Sequence, residues 1–258
     1  MKVQVYSLLF ILVLFSPIAN AQQKKFYADF FVEQNIMLGD WFNEKNYDEL
    51  TENLNSTDVG ARLNMRLYNQ LGIWVSLNFT FRNERKTIPD NVNLFSQINL
   101  ESYYMDSYFR SPNRNFFEDM EGKFAFGFLY RHQTKKWGFT PYFGLGLHSI
   151  VNNYRVSYSL KEIGANTAYS VDYKWGFNDD IYGEDYQWIP YLTLQFKADY
   201  KLSDRLRIFG GISFNQYIQR MKMQGRLRDY YDNDILVDSF KIRGRLVNTL
   251  GVSAGISF

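Results

Sequence analysis

Hydrophobic and polar residues alternate with period 2 in eight segments of the chain. In the second segment, Leu63 and Met65 share one parity, while Arg62, Asn64 and Arg66 share the other. Because successive side chains of a β-strand point to opposite faces, each segment is predicted to be a strand with one apolar face. The predicted strands cover residues 25–38, 59–68, 73–82, 123–131, 137–148, 189–200, 206–215 and 240–258.

The connections between these strands alternate in length. Short turns are predicted near 69–72, 133–136 and 201–205, and long segments near 39–58, 84–121, 149–187 and 219–239. An even strand count with this alternation is typical of a barrel with short periplasmic turns and long outside loops, and in lipid such a sheet must close. The sequence therefore predicts an all-β fold, an eight-stranded antiparallel up-and-down transmembrane β-barrel with long extracellular loops. A soluble β-sandwich is the alternative, but nothing in that fold requires short and long connections to alternate.

Two of the predicted strands have special features. The last, 240–258, is longer than the roughly 9–11 residues that cross a bilayer, so its first part is expected to project beyond the membrane. On the fifth strand, Gly138, Gly144 and Gly146 share the inward parity. These glycines predict a tightly curved wall around a narrow interior.

Composition agrees with a membrane barrel. The 258 residues include 20 Tyr, 23 Phe and 5 Trp, which suits a protein with aromatic side chains at two membrane interfaces. The chain has no cysteine, so disulfides cannot organise it. Its 29 basic and 27 acidic residues nearly balance, which argues against a nucleic-acid partner.

The first residues have the pattern of an export signal. Lys2 supplies a positive start, residues 8–15 are an unbroken apolar run, and Ala19, Asn20 and Ala21 form a small-residue cleavage site. We therefore expect a signal peptide over 1–21, cleavage after Ala21, a barrel domain over 22–258, and an outer-membrane location.

The C-terminal residues 251–258 alternate and end in Phe258, and residues 140–147 have a similar alternating, glycine-rich pattern. With these features the chain, over residues 25–258, resembles the small outer-membrane β-barrel proteins of the OmpA/OmpX type. The resemblance implies that Phe258 is an assembly signal recognised by the barrel-assembly machinery. It also implies that lipid and lipopolysaccharide of the outer membrane surround the barrel.

Charged residues fall on the inward parity of the predicted strands. Because an eight-stranded barrel has room only for packed side chains or one small ligand, we expect them to form a salt-bridged plug. A basic pocket for an anion or lipid phosphate near the outer rim, and a narrow conducting pore, are the alternatives. The predicted interior charges are Asp29, Glu33, Arg62, Arg66, Arg82, Lys123, Arg131, Lys197, Asp199, Arg207, Lys241, Arg243 and Arg245.

No catalytic group, cofactor or metal site is predicted. Outer-membrane lipid A deacylases place a serine two residues after a histidine, but Ile150 holds that position after His148, and Ser149 points to the opposite face of a strand. His132 has no neighbouring nucleophile. The acidic residues near Asp232 lack the spacing and glycine of an EF-hand loop.

The predicted outside loops are rich in aromatic and acidic residues. Rigid aromatic rings suit contacts with an extracellular protein or glycan, although they could also pack on their own hairpins. The leading hypothesis is a non-enzymatic structural or surface-interaction barrel, and the rival is a barrel that handles a small molecule, as a lipid-modifying enzyme or a channel. The candidate contact residues are Tyr103, Tyr104, Tyr108, Phe109, Trp175, Tyr182, Tyr230 and Tyr231.

Overall fold

Fourteen strands account for most of the chain described by the computed structural model, which covers residues 26–39, 54–82, 103–110, 121–151, 155–163, 168–176, 186–232 and 235–258. The predicted export signal, 1–21, lies outside the described residues. No helix in this part of the chain is long and apolar enough to cross a membrane. The strands are β1 (Phe26–Leu38), β2 (Ser56–Tyr68), β3 (Leu71–Arg82), β4 (Tyr103–Arg110), β5 (Glu121–Tyr130), β6 (His132–Gln133), β7 (Trp137–Val151), β8 (Arg155–Glu162), β9 (Ala168–Gly176), β10 (Tyr186–Lys201), β11 (Arg207–Tyr217), β12 (Lys222–Asp229), β13 (Leu236–Arg243) and β14 (Asn248–Ser257).

Eight of these strands close into a barrel. Around the wall the order is β1, β2, β3, β5, β7, β10, β11 and β14; every neighbouring pair is antiparallel, and β14 pairs with β1 to close the ring. The short β6 pairs only with β7, at the rim that carries the short turns. The predicted eight-stranded antiparallel up-and-down barrel is thus confirmed.

The alternation along each strand separates the lumen from the outer surface. On β1, Tyr27, Asp29 and Phe31 are buried inside, whereas Val32 and Ile36 are exposed outside. The same alternation holds on the other seven barrel strands. An apolar outer wall around a polar interior is the arrangement that a bilayer requires of a spanning sheet.

Aromatic side chains mark both ends of the outer wall. Trp137 packs edge-on against Tyr200 with ring centroids 5.0 Å apart, next to the short turns, and Trp188 is exposed near the opposite end of β10. Tryptophan and tyrosine favour the two membrane–water interfaces, because part of each ring is apolar and part is polar. The part of β10 between Trp188 and Tyr200 is therefore the part that spans the membrane.

Strands β5 and β7 approach each other closely at two glycines. Gly127 and Gly144 face each other in register, and a Cβ on Gly144 would collide with the carbonyl of Phe126 and the ring of Trp74. The Trp74 indole fills this space from the lumen side and donates a hydrogen bond to the Phe128 carbonyl at 3.1 Å. Gly144 is one of the three inward glycines of the predicted fifth strand, and its lack of a side chain permits this close approach.

The remaining five strands form a second antiparallel sheet, which we call the cap. Its order is β13, β12, β9, β8, β4. The strands come from three long connections: β4 lies between β3 and β5, the β8–β9 hairpin between β7 and β10, and the β12–β13 hairpin between β11 and β14. Because these connections leave the rim opposite the short turns, the cap lies on the extracellular side.

One hydrophobic cluster joins the cap to the barrel. It combines barrel side chains such as Trp74 and Tyr191 with cap side chains that are almost fully buried. Those cap side chains are Leu160, Val171, Met223 and Leu227. The cap therefore packs over the barrel mouth.

The prediction of a single long last strand is wrong. The chain leaves strand geometry over 244–247, so 236–243 belongs to the cap and 248–257 to the barrel. Phe240 and Ile242 pack against the hydrophobic cluster and do not face lipid. The cap and the barrel wall each have one apolar face, so the period-2 pattern continues through the change of sheet and cannot reveal it.

Candidate functional site: the barrel interior and the cap

Asp29 is the centre of the interior charge network and is completely buried. Lys197 Nζ lies 2.8 Å from both of its carboxylate oxygens. Asn64 donates a hydrogen bond to Asp29 at 3.0 Å, the Tyr142 hydroxyl lies at 3.5 Å, and Arg62 approaches to 3.8 Å. These groups replace the water that a carboxylate loses on burial.

Arg62 spans the lumen. It extends from β2 and donates a hydrogen bond at 2.5 Å to Gln195 of β10, and these two strands lie on opposite sides of the ring of eight. Its guanidinium lies over the rings of Phe31, Trp74 and Tyr142, with 4.4 Å to the centroid of the last. The middle of the barrel is therefore occupied by a cation held against aromatic faces.

A second cluster fills the periplasmic end. Asp199 is buried between Arg131, at 3.3 Å, and Arg207, whose Nε donates to the same carboxylate oxygen. The Arg131 guanidinium lies 4.4 Å from the centre of the Tyr27 ring, and Lys197 lies 4.9 Å from the same ring. The ring of Tyr27 thus connects this cluster to the Asp29 cluster.

A third charge cluster lies toward the extracellular end of the lumen. Lys123 Nζ lies 2.8 Å from Asp58, and both side chains are buried. Glu33 is also buried and is paired in register with Asp58, so it lies at the same level. The three charge clusters occupy the lumen at successive heights, which favours a plug over a continuous channel.

His148 takes part in a buried hydrogen-bonded row beneath the cap. Its Nδ1 lies 2.9 Å from the Tyr217 hydroxyl and its Nε2 lies 3.1 Å from Glu121. Both ring nitrogens are therefore engaged, and neither reaches Ser149. His132, the other histidine, is exposed on β6.

The lumen is close to neutral, whereas the sequence predicted an excess of cations. Among the residues that the structure describes, the cations within it are Arg62, Lys123, Arg131, Lys197 and Arg207, and the acids are Asp29, Glu33, Asp58, Glu121 and Asp199. The sequence prediction missed Asp58 and Glu121. Both continue the inward parity of a predicted strand, just before the residue at which that strand was taken to begin.

Three predicted interior arginines lie elsewhere. Arg66 is exposed at the periplasmic rim, because β2 has passed the end of the lumen there and is about to turn. Its Nε donates a hydrogen bond to the Asn69 carbonyl in that turn. Arg243 and Arg245 are exposed above the barrel, because the chain has left the wall at this height. Lys241 is likewise on the cap. The side chain of Arg82 lies outside the described residues.

The predicted loop aromatics belong to the cap or lie outside the described residues. Tyr103, Tyr104, Tyr108 and Phe109 are in β4 and Trp175 is in β9, but their side chains, and all of Tyr182, lie outside the described part. Tyr230 and Tyr231 are exposed at the tip of the β12–β13 hairpin, with ring centroids 5.5 Å apart. The Asp229 carboxylate accepts the backbone N–H of Tyr231 at 2.8 Å and that of Asp232 at 3.0 Å.

The exposed ion pair in the periplasmic turn contrasts with the buried network. Lys201 lies 2.5 Å from Asp204, and this hydrogen bond lowers the pKa of the Asp204 carboxyl. Solvent screens such a pair, so it contributes little to stability.

Three solved structures illustrate the likeness to known proteins. Neisserial surface protein A is 10% identical, with 90% of this chain and 96% of that chain covered and a TM-score of 0.39. A major outer membrane protein from Thermus thermophilus is 12% identical, with 90% and 98% covered and a TM-score of 0.41. Ail, the attachment invasion locus protein of Yersinia pestis, is 10% identical, with 90% and 96% covered and a TM-score of 0.34.

No family model and no curated protein matches the chain. The assignment rests on the closed strand ladder, the polar lumen and the apolar outer wall. Together these features define a β-barrel protein of the outer membrane.

Proposed function

We propose that the protein is a non-enzymatic outer-membrane barrel with a closed lumen, and that its cap makes contacts at the cell surface. The observation that carries this proposal is the cap itself. Three long connections build one ordered sheet over the barrel mouth, and that sheet presents an aromatic tip to the outside.

The lumen supports a structural role over transport or catalysis. Arg62 reaches across the barrel axis, and the ion pairs above and below it fill the remaining levels. His148 uses both of its ring nitrogens in contacts with Glu121 and Tyr217, so it has no free nitrogen with which to activate a serine. These contacts count against the rival function, a barrel that handles a small molecule.

The tip of the β12–β13 hairpin is the best candidate for a contact surface. Tyr231 is 72% exposed and Tyr230 lies beside it with its ring nearly perpendicular. Two rigid aromatic rings, next to a backbone N–H bonded to the Asp229 carboxylate, offer contact area at low entropic cost, which suits a protein or glycan partner.

A photo-crosslinking amino acid placed at position 231 in intact cells tests this proposal. Position 68 is the matched control, because Tyr68 is also 72% exposed but lies at the opposite, periplasmic rim. We expect position 231 to give a discrete adduct with a surface molecule that is lost when Tyr230→Ala is added, and position 68 to give no such adduct. Absence of an adduct at 231, with the barrel correctly inserted, would contradict a contact role for the tip.

A further inference from the structure

Two chain segments form the junction between the barrel and the cap. Residues 218–221 lead from β11 to β12, and residues 244–247 lead from β13 to β14. Backbone hydrogen bonds from Tyr217 N to Val247 O, at 3.0 Å, and from Gly244 N to Met221 O, at 2.7 Å, hold these segments side by side. Met221 and Val247 are buried in the hydrophobic cluster, so the inner side of the junction is fixed.

The outer side of the junction changes abruptly from apolar to cationic. Ile218 and Leu246 are 49% and 41% exposed on the side toward the barrel. Arg220 and Arg245 are exposed on the side toward the cap. In both segments, then, the apolar side chain lies nearer the barrel and the arginine lies nearer the cap.

This change falls at the edge of the membrane. The exposed apolar side chains of β11 begin at Ile208, and Ile212 continues the same face toward Ile218. The length from Ile208 to Ile218 matches the roughly 9–11 residues with which a tilted strand crosses a bilayer. Arg220 and Arg245 therefore lie just beyond the hydrocarbon, at the level of lipid headgroups.

The junction arginines also lie close to other cations. Arg243 is paired in register with Lys222, and the Gly244–Met221 hydrogen bond continues this contact into the two segments that carry Arg220 and Arg245.

Most cations inside the barrel have a carboxylate partner, but these arginines do not. Lys123, Arg131 and Lys197, for example, each lie within 3.3 Å of an acidic side chain. In the part of the chain that the structure describes, no carboxylate lies within ion-pair distance of Arg220, Arg243 or Arg245.

We propose that Arg220, Arg243 and Arg245 bind a phosphate group of the lipopolysaccharide of the outer leaflet, with its acyl chains lying along Ile218 and Leu246. Arginine suits this role because its planar guanidinium can donate two parallel hydrogen bonds to a phosphate. Lipopolysaccharide is the occupant that fits, because the site is on the extracellular side and has an apolar surface directly beneath its cations. The proposal does not depend on a contact role for the cap.

The test uses the full barrel in detergent with three lipids: bisphosphorylated lipid A, dephosphorylated lipid A and phosphatidylglycerol, with retention measured by native mass spectrometry. The variant is Arg220→Gln/Arg243→Gln/Arg245→Gln, with Arg245→Gln alone as a milder change. The control is Lys135→Gln/Lys136→Gln/Arg205→Gln, which removes three exposed cations from the periplasmic turns. The heat-dependent gel shift of folded barrels verifies that each variant is folded.

We expect the triple variant to lose affinity for bisphosphorylated lipid A on the order of 100-fold, since each cation near an anionic lipid surface contributes about a factor of five. Arg245→Gln should lose part of this affinity, the control none, and an Arg→Lys triple variant should recover part. Dephosphorylated lipid A should bind the wild-type protein weakly. Equal retention by the triple variant, an equal loss in the control, or equally tight binding of phosphatidylglycerol would overturn the proposal.

Discussion

Lys197 and Asp29 belong to barrel strands that are separated by two others, yet the Lys197 ammonium lies 2.8 Å from both oxygens of the Asp29 carboxylate. The contact runs through the lumen and not along a strand pair. It exists only when the sheet is closed, because an open sheet would hold these two strands apart. The pair therefore couples the interior charges to the closure of the barrel.

Replacing Asp29 with Asn should destabilise the barrel strongly. The change keeps the size of the side chain but leaves Lys197 and Arg62 buried without their counter-charge, at a cost of about 3–5 kcal/mol. The free energy of unfolding in urea, followed by tryptophan fluorescence in lipid vesicles, measures the effect. Asp204→Asn is the control, because that carboxylate is exposed in a turn and its loss should leave the unfolding curve unchanged. A wild-type curve for Asp29→Asn would contradict the role of the pair.

The wild-type barrel should give no stable conductance in planar bilayers, because Arg62 and Tyr142 close its middle. Arg62→Ser/Lys123→Ser/Arg131→Ser removes one long side chain from each of the three charged levels, so water should enter and discrete current steps should appear. Arg66→Ser is the control, since it makes the same chemical change at the exposed rim and should stay silent. Steps of similar size from the wild-type protein would show that the lumen is open.

The sequence predicted which residues share the lumen, but not which of them meet. Alternation alone put Asp29, Arg62 and Lys197 on the inward parity of their strands, and the structure places them there. Their contacts depend on the register of strands on opposite sides of the closed ring, which no local pattern encodes. Asp58 was missed for a simpler reason, since its strand begins earlier than the apolar residues alone indicated.

Strand β12 of the cap could not be predicted because its apolar pattern is weak. Only Met223 and Leu227 give β12 an apolar face, and Gly225 stands between them. The structure explains this glycine: the ring of Phe240 from β13 occupies the place where a Cβ would lie. A face completed by a side chain of another strand is not visible in the sequence of one strand.

Adding a methyl group at Gly144 should destabilise the barrel wall. A Cβ there would meet the Phe126 carbonyl and the Trp74 ring, so Gly144→Ala should cost about 1–3 kcal/mol in the free energy of unfolding. Gly210→Ala is the matched control, because the nearest atom to a Cβ at that position is the Ser253 carbonyl oxygen at 3.9 Å. If the two substitutions lowered the free energy of unfolding equally, this would contradict the close approach of β5 and β7 at Gly144.

Leu227→Ala should loosen the cap and spare the barrel. Leu227 is buried in the cluster beneath the cap, and such a truncation costs about 2–5 kcal/mol of local packing. Protease added to intact cells should then cut the cap faster, while the heat-dependent gel shift of the barrel persists. Leu236→Ala, at an exposed position of β13, should be cut no faster than wild type. Cap cleavage of Leu227→Ala at the wild-type rate would show that the cap does not depend on this packing.

The apolar side of the barrel wall faces lipid, and because the chain has no cysteine, single introduced thiols can measure this orientation directly. Leu77 and Leu194 are 60% and 53% exposed on the outer wall, and Tyr231 is exposed on the cap. In intact membranes, Leu77→Cys and Leu194→Cys should resist a water-soluble maleimide until the protein is denatured, whereas Tyr231→Cys should react at once. Labelling of Leu77→Cys and Leu194→Cys as fast as Tyr231→Cys would show that water, and not lipid, covers this wall.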